Sequence, residues 1–143
     1  AMALSLRESL IEDIEKDSIA FSLVMAAYRL PKETEEEKEI RKIEIQRGLK
    51  VAAETPLEVA RKAYSIMELS EAVIEKGNSN AITDGLVSVM LARTAVLSAL
   101  LNVKVNLDAI KDEAFVALAK QEVNELEMLC QLKEKSILKQ YGL

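Results

Sequence analysis

At 143 residues, half of them apolar, the chain is long enough for one domain with its own core. Three Tyr, two Phe and no Trp make that core aliphatic, and abundant Ala, Leu, Glu and Lys with only four Gly and two Pro point to helices. A net charge of −5 argues against a nucleic-acid scaffold, which needs clustered basic charge. With no His and a single Cys130, zinc signatures and His-based triads are absent, so any catalysis falls to carboxylates, Lys, Tyr, amides or backbone groups, and no metal is expected. One Cys fits a reducing compartment, and the charged stretch Arg7–Lys16 does not read as a signal peptide, so the expected setting is cytoplasmic.

The first five residues carry no pattern of their own. From Leu6 to Leu30 the spacing is helical: Leu10, Ile14, Phe21, Met25 and Tyr28 form one stripe, with Asp17 on it. Pro31 stops this helix, because the residue before a proline resists the α conformation. Thr34 and Glu37 make a capping box for a second helix from about Glu35 to Ala53. Thr55-Pro56-Leu57-Glu58 reads as a new start, with Thr55 as cap and Pro56 in the first helical position. The third helix presents Val59, Ala63, Ile66, Ser70 and Val73, then stops at Lys76-Gly77 with Gly77 as a left-handed cap.

Asn80 is the expected N-cap of a fourth helix ending near Asn102. Between Ile82 and Val103 only Asp84, Arg93 and Asn102 are strongly polar. About 20 apolar residues would span a bilayer, but Arg93 at the centre and Asp84 near the start make that costly, so the reading is a core helix. The acidic balance likewise disfavours a membrane-surface partner. Val103-Lys104-Val105 reads as an extended connector, Asn106 as the cap of a turn, and Asp112 as the cap of a last helix to about Gln140 carrying Leu118, Val123, Leu126, Leu129 and Leu132. The expectation is an all-α, up-and-down bundle of about five long antiparallel helices.

The polar loop Gly77–Asp84 concentrates two Asn, a Gly and an Asp where backbone N–H groups lack partners. Four blocks of the sequence then carry a family resemblance. They are Asp17-x-x-Ala20-Phe21 with Val24-Met25-x-Ala27-Tyr28-Arg29-Leu30-Pro31-Lys32; Pro56-Leu57-Glu58; Gly77-Asn78-x-Asn80-Ala81-x-x-Asp84; and Asn102-Val103-x-x-Asn106-Leu107-x-x-Ile110-Lys111-Asp112. In order and spacing, from about Leu6 to Phe115, they resemble the cyclodeaminase/cyclohydrolase family. That family comprises the cyclodeaminase domain of formiminotransferase-cyclodeaminase and the bacterial methenyltetrahydrofolate cyclohydrolases.

The resemblance implies an all-helical, homodimeric folate enzyme acting on a one-carbon unit, with a tetrahydrofolate derivative as substrate and no further cofactor. Residues 1–143 are then a single domain of this kind. The family's N-terminal glycine-rich Thr-Pro-Gly-Gly-Gly-type segment has no counterpart in it, and Ser79 stands where many relatives have proline.

Both family reactions need a base, an acid and stabilisation of changing charge. Asp84, in a first helical turn where the dipole favours its ionised form, is the expected base. Asp17 is a proton source if burial raises its pKa. Asn78 and Asn80 are placed to hold pterin polar atoms, though turn and cap roles explain both without a ligand. Tyr28, Arg29 and Lys32 form a cluster suited to the glutamate tail, or an ordinary basic helix end. Asn102 and Asn106 are binding candidates with capping as the competing account. Without His and without the glycine-rich segment, a non-catalytic helical dimerisation or scaffold domain is the alternative.

Overall fold

A computed structural model describes residues 2–143; Ala1, the first of the five unpatterned residues, lies outside them. Four long helices, α1 (Met2–Tyr28), α2 (Glu35–Lys76), α3 (Ile82–Leu107) and α4 (Glu113–Gln140), run up and down, with a 3-10 turn at Ser79–Ala81 ahead of α3. The all-α bundle is as expected. Met2–Ser5, without a pattern in the sequence, simply extend α1.

The centre is the antiparallel pair α2–α3. On α2 the buried positions Leu49, Ala53, Leu57, Ala60, Ala63, Met67, Ser70 and Ile74 advance in steps of three and four. Val89, Ala92, Val96, Ala99 and Val103 do the same on α3. This 3.5-residue spacing keeps one seam of each helix facing the other along its whole length. Three contacts fix the register. Ile74 crosses Gly85, where an added Cβ would lie 2.5 Å from Ile74 Cγ1; Ser70 Oγ and Ser88 Oγ share a 2.7 Å hydrogen bond; and Asn106 reaches the backbone of Ala52.

On one side α1 runs antiparallel to α2, from Asp13–Lys62 past Val24 against Gly48 to Arg41 on the carbonyl of Tyr28. On the other side α4 buries Ala119, Val123, Leu126, Cys130 and Ile137. It is tied to α2 by Arg61–Glu122 (2.6 Å) and Lys133–Glu71 (2.5 Å), and to α3 by Lys104–Glu127 (2.7 Å).

The count of four helices, where the sequence reading gave about five, traces to Pro56. The helix continues through it: Thr55 is no cap but donates its hydroxyl to Val51 O, and Thr55, Pro56 and Leu57 are all buried. A proline inside a helix leaves the carbonyl four residues back without its donor. Here that carbonyl is Ala52 O, and Asn106 Nδ2 donates to it at 3.1 Å. A side chain from α3 therefore replaces the missing backbone bond, and the start signal at Thr55-Pro56 is overridden by tertiary structure.

Other boundaries also differ from expectation. Val103–Val105 is helical, because Val103 is fully buried and holds α3 on the seam to Leu107. The cap of the turn before α3 is Asn78, whose Oδ1 accepts from Asn80 N at 3.0 Å; Asn80 itself caps nothing. Gly77 is extended (φ −85°, ψ −170°), not left-handed. Glycine is needed there because a Cβ would fall 2.2 Å from Val73 O, which accepts the Gly77 N–H. Leu118 and Leu132 of α4 are exposed. The two local caps behave as read: Glu37 N donates to Thr34 Oγ1 while Thr34 N donates to Glu37 Oε2, and Phe115 N donates to Asp112 Oδ1.

The proline account predicts a specific non-additivity. Asn106→Ala alone costs about 1–2 kcal/mol, the loss for a buried carbonyl left unpaired. In a Pro56→Ala background the new N–H supplies Ala52 O, so the cost of Asn106→Ala falls to a few tenths of that. Urea unfolding of the four variants measures the coupling, and equal costs in both backgrounds would refute the compensation.

Candidate active site

The apolar stripe read on α1 exists but does not face the core. The buried residues of α1 are small or charged, namely Asp13, Ala20 and Ala27, with the half-buried Val24 against Gly48. Ile14 and Phe21, 72% and 65% exposed, stand on the flank facing α3 or solvent. Opposite them α3 carries a second stripe, Asp84, Ser88, Leu91, Ala95, Ser98 and Asn102, again in steps of three and four. Between α1 and α3 runs a groove floored by α2.

At the α3 N-terminus the groove opens into a cavity of about 670 Å³, in the size range of small-molecule sites. Its walls are Leu10, Ile11 and Ile14 from α1, Ile66, Leu69 and Val73 from α2, and Gly85 from α3. Four polar side chains break this apolar lining: Arg7, Ser70, Ser88 and Asp84, which is the only carboxylate among the lining residues. Asp84 lies in the first turn of α3, as read from sequence, and is exposed at the cavity mouth. Ser70, buried, also donates its hydroxyl to Ile66 O at 2.8 Å. The two serines thus satisfy each other deep in the floor.

The other candidates are distributed along the bundle. Asp17 and Asn102 meet in a second cavity of the same groove, about 360 Å³, together with Asp13 and Pro56. Asp17 is exposed, so the burial on which a proton-source role rested is not met. From Asp84 to Asn102 is 18 residues of one helix, ~27 Å at 1.5 Å per residue. Asn78 and Asn80 sit exposed in the turn beside the first cavity without lining it.

Tyr28 lies at the far end of the bundle and lines a separate hollow with Lys42, Arg47, Lys50 and Lys111. Arg41 stacks 5.7 Å over its ring. Arg29 and Lys32 are exposed beyond it. Asn106 has its amide committed to Ala52 O and Asn102 O. One chain therefore brings Asp84 together with Arg7 and the serine pair, and brings Asp17 together with Asn102. It does not bring either set to Tyr28, Arg29 and Lys32.

Two features escaped the sequence reading. Arg7 was legible in principle, since it precedes Leu10 and Ile14 at three- and four-residue steps on one stripe. Asp13 was not: it is 2% exposed and clamped by Lys62 Nζ (2.5 Å) and Lys16 Nζ (3.0 Å). Burial pushes its carboxyl up, but the hydrogen bonds and charges of the two lysines outweigh that and hold it below the ordinary aspartate range. This clamp fixes the α1 wall of the groove. Elsewhere, Arg61 forms a two-bond fork with Glu122 and a third bond to Glu54, and keeps Glu122 below its usual range against the effect of burial. Burial pushes the Cys130 thiol up, so it is an inert core residue.

Ser79–Leu107 is long and apolar enough to cross a membrane by length and composition, and 39% of its apolar window is buried. Arg93 of this segment lies 3.4 Å from Glu134 of α4, and its Nε is the one buried side-chain polar atom without a hydrogen bond among the described residues. Among the described residues no three His, Cys, Asp or Glu side chains are grouped to hold a metal ion.

The fold is an all-helical bundle with an open groove and a carboxylate in the first turn of α3, and comparison with known proteins gives its family. A profile of the formiminotransferase-cyclodeaminase family matches residues 1–125, and the chain belongs to that family. It is 44% identical over 124 residues to the methenyltetrahydrofolate cyclohydrolase of Methylorubrum extorquens, covering 87% of this chain and 58% of that protein. It is 36% identical to the formimidoyltransferase-cyclodeaminase of Gallus gallus over 83% of this chain and 22% of that one. The crystal structure of formiminotetrahydrofolate cyclodeaminase from Thermotoga maritima superposes with a TM-score of 0.79 at 30% identity, over 97% of this chain and 67% of that one. The chain thus spans little more than half of the bacterial cyclohydrolase it matches.

The Asp13 clamp gives an acid-stability prediction. A carboxyl held below its unfolded value stabilises the fold above the unfolded pKa, ~3.9, and loses that contribution as pH falls through the native value. Asp13→Asn therefore costs about 1–3 kcal/mol at pH 7, the loss of bonds to charged partners, and the gap narrows as pH falls below the ordinary aspartate range and through the native value. Urea unfolding followed by circular dichroism between pH 2.5 and 7 measures the gap; a gap constant with pH would rule out the clamp as its cause.

Proposed function

We propose that the chain carries the folate one-carbon chemistry of its family, with Asp84 as the base and the cavity at the α3 N-terminus as the seat of the folate ring system. The observation that carries the reading is that a predominantly apolar cavity of about 670 Å³ contains a single carboxylate, on the helix turn matched by the family motif. An apolar slot suits a flat heteroaromatic ring, and a lone anion at its mouth suits a cationic methenyl group.

In hydrolysis, water adds to the methenyl carbon while Asp84 takes a water proton; one carbon–nitrogen bond then breaks and its nitrogen takes a proton. In cyclodeamination, Asp84 takes the N–H proton of the attacking folate nitrogen, and ammonia leaves from the formimino carbon with a proton. One base at one position serves both, so the choice between them rests on the leaving group. Asn78 and Asn80 hold pterin polar atoms as the turn adjusts around the ring. Asp17 and Asn102 contact the substrate further along the groove. In this proposal Tyr28, Arg29 and Lys32 act at the tail end, and since they lie at the opposite end of the bundle from Asp84, a second copy of the chain brings them within reach; Asn106, its amide taken by Ala52 O and Asn102 O, supports the helix and not the substrate. A homodimer in the cytoplasm, without metal or further cofactor, completes the reading.

Asp84→Asn removes the base with little change in volume and lowers turnover by about 10²–10⁴-fold, the usual contribution of a positioned base. The checks are loss of methenyltetrahydrofolate absorbance and ammonia released from formiminotetrahydrofolate, with calorimetry on the same samples for folate binding. Full activity in the variant would remove Asp84 as base. Absence of both turnover and folate binding in the parent would favour the scaffold alternative.

A further inference from the structure

The face of α3 turned away from α2 differs from the rest of the surface. From Val87 to Val105 none of its exposed positions is charged, in a chain that is 30% charged. Val87, Leu91, Leu101 and Val105, the exposed large aliphatic residues of α3, are 47% to 73% exposed. An uncharged apolar strip ~27 Å long marks a place where another structure packs.

The order of the residues says which structure. Val87 and Val105 lie nine positions either side of Val96, Leu91 and Leu101 five, and Thr94 and Ser98 two. Val96 itself is buried on the opposite side of the helix. At ~100° per residue the six positions fall within an arc of ~80°, so the strip has the same shape read in either direction. A two-fold contact requires that property, because residue i of one copy meets residue j of the other while j meets i; a foreign partner does not require it.

With two copies of α3 antiparallel about Val96, Leu91 stands beside the partner's Leu101, and Val87 beside the partner's Val105. Thr94, Ala95 and Ser98 at the centre are small enough for the backbones to come within the ~8–10 Å of packed helices. Their hydroxyls complement each other. Thr94 donates its proton to Met90 O (3.0 Å), which leaves its Oγ1 an acceptor, and the exposed Ser98 hydroxyl supplies the donor from the other copy. Asp84 and Asp108, twelve positions either side of Val96, stand on opposite edges of the strip and in water, where salt screens them. A bilayer suits the strip poorly, because those two carboxylates end it, the pairs Arg93–Glu134 and Lys104–Glu127 run along its side, and the net charge is −5.

We propose that this face of α3 is the two-fold contact of a homodimer, with two α3 helices packed antiparallel about Val96. The Tyr28 end of the bundle, which lies by Ala109 and Lys111 just past α3, is then set toward the Asp84 end of the other copy. That pairing of ends rests on the folate reading above; the contact itself rests on the α3 face alone.

Sedimentation of the full chain from low to high micromolar concentration is expected to show a monomer–dimer equilibrium. Leu101→Glu, at an exposed position and so compatible with folding, weakens it on the order of 100-fold, since the charge enters the contact twice. Leu118→Glu, on the exposed face of α4, leaves it unchanged. Leu91→Lys also weakens self-association, but mixing it with Leu101→Glu restores a dimer, because the antiparallel contact sets the new Lys beside the new Glu and leaves the other Leu91–Leu101 pair intact. A monomer throughout, a dimer indifferent to Leu101→Glu, or a mixture no more associated than its separate variants overturns the proposal. So does binding of the parent to phosphatidylserine vesicles that Leu101→Glu abolishes, because a bilayer then covers the strip. A dimer that behaves as expected without any folate turnover upholds this contact while the folate reading fails, and turnover by a monomer separates them the other way.

Discussion

The close approach of α2 and α3 is the constraint on which the rest of the molecule depends. Their seam is built from Ala53, Ala60, Ala63, Ala92 and Ala99 with Leu57, Met67, Val89, Val96 and Val103 between them, and most of these are fully buried. Alternating small and large side chains let two backbones come near while the larger groups fill the gaps, as close packing requires. Gly85 is the tightest point, because even a methyl group there would enter Ile74. The same register puts Ser70 opposite Ser88 and Asn106 opposite Ala52, so the polar groups inside the seam pair with each other. A slip of one turn would unpair the serines and the Ala52 carbonyl and drive Ile74 against a larger neighbour. The polar contacts specify the register; the apolar ones supply the energy.

From that register the outer helices follow. α2, with 42 residues, is much longer than α3, with 26, so its N-terminal turns project past α3. The end of α1 docks on them, with Arg41 on the Tyr28 carbonyl and Val24 against Gly48. α1 approaches α2 through Ala20, Val24 and Ala27, which brings it close and leaves Ile14, Ile19 and Phe21 exposed. The groove is a consequence of this choice. The ion pairs joining α4 to α2 and α3 have side chains 19% to 42% exposed, so water screens them in part, and they orient α4 more than they hold it.

What could be read from the sequence divides by range. The Thr34–Glu37 box and the Asp112 cap depend on residues three apart, and both form as read. Asp84 in a first turn is equally local. Thr55-Pro56 is local too, yet misleading: whether a proline starts a helix or sits inside one was decided by Asn106, 50 positions further along. The periodicity of α1 and α3 was legible, but each carries two stripes, and sequence does not say which one meets the core. On α1 the large-residue stripe lost to the alanine stripe because α2 offers Gly48 and Lys62 there, a notch and a counter-charge. The Asp13–Lys62 pair and the serine pair are contacts between helices, with no trace in the spacing of either one; only Asp13–Lys16, three apart on α1, is local. The family motifs located the groove wall nonetheless, since Asp17, Pro56, Asp84 and Asn102 all line it.

The position of Asp84 decides how strongly it can act in the proposed chemistry. Its carboxylate stands at the rim of an apolar cavity, exposed to water. An attraction between this anion and a cationic one-carbon unit ~4 Å away amounts to about 1 kcal/mol in bulk water and about 4 kcal/mol at the effective dielectric of a partly buried protein site. On the proposed reading, a flat ring seated in the apolar cavity displaces water from beside Asp84 and brings the interaction toward the larger figure, so the ligand strengthens the contact that holds it.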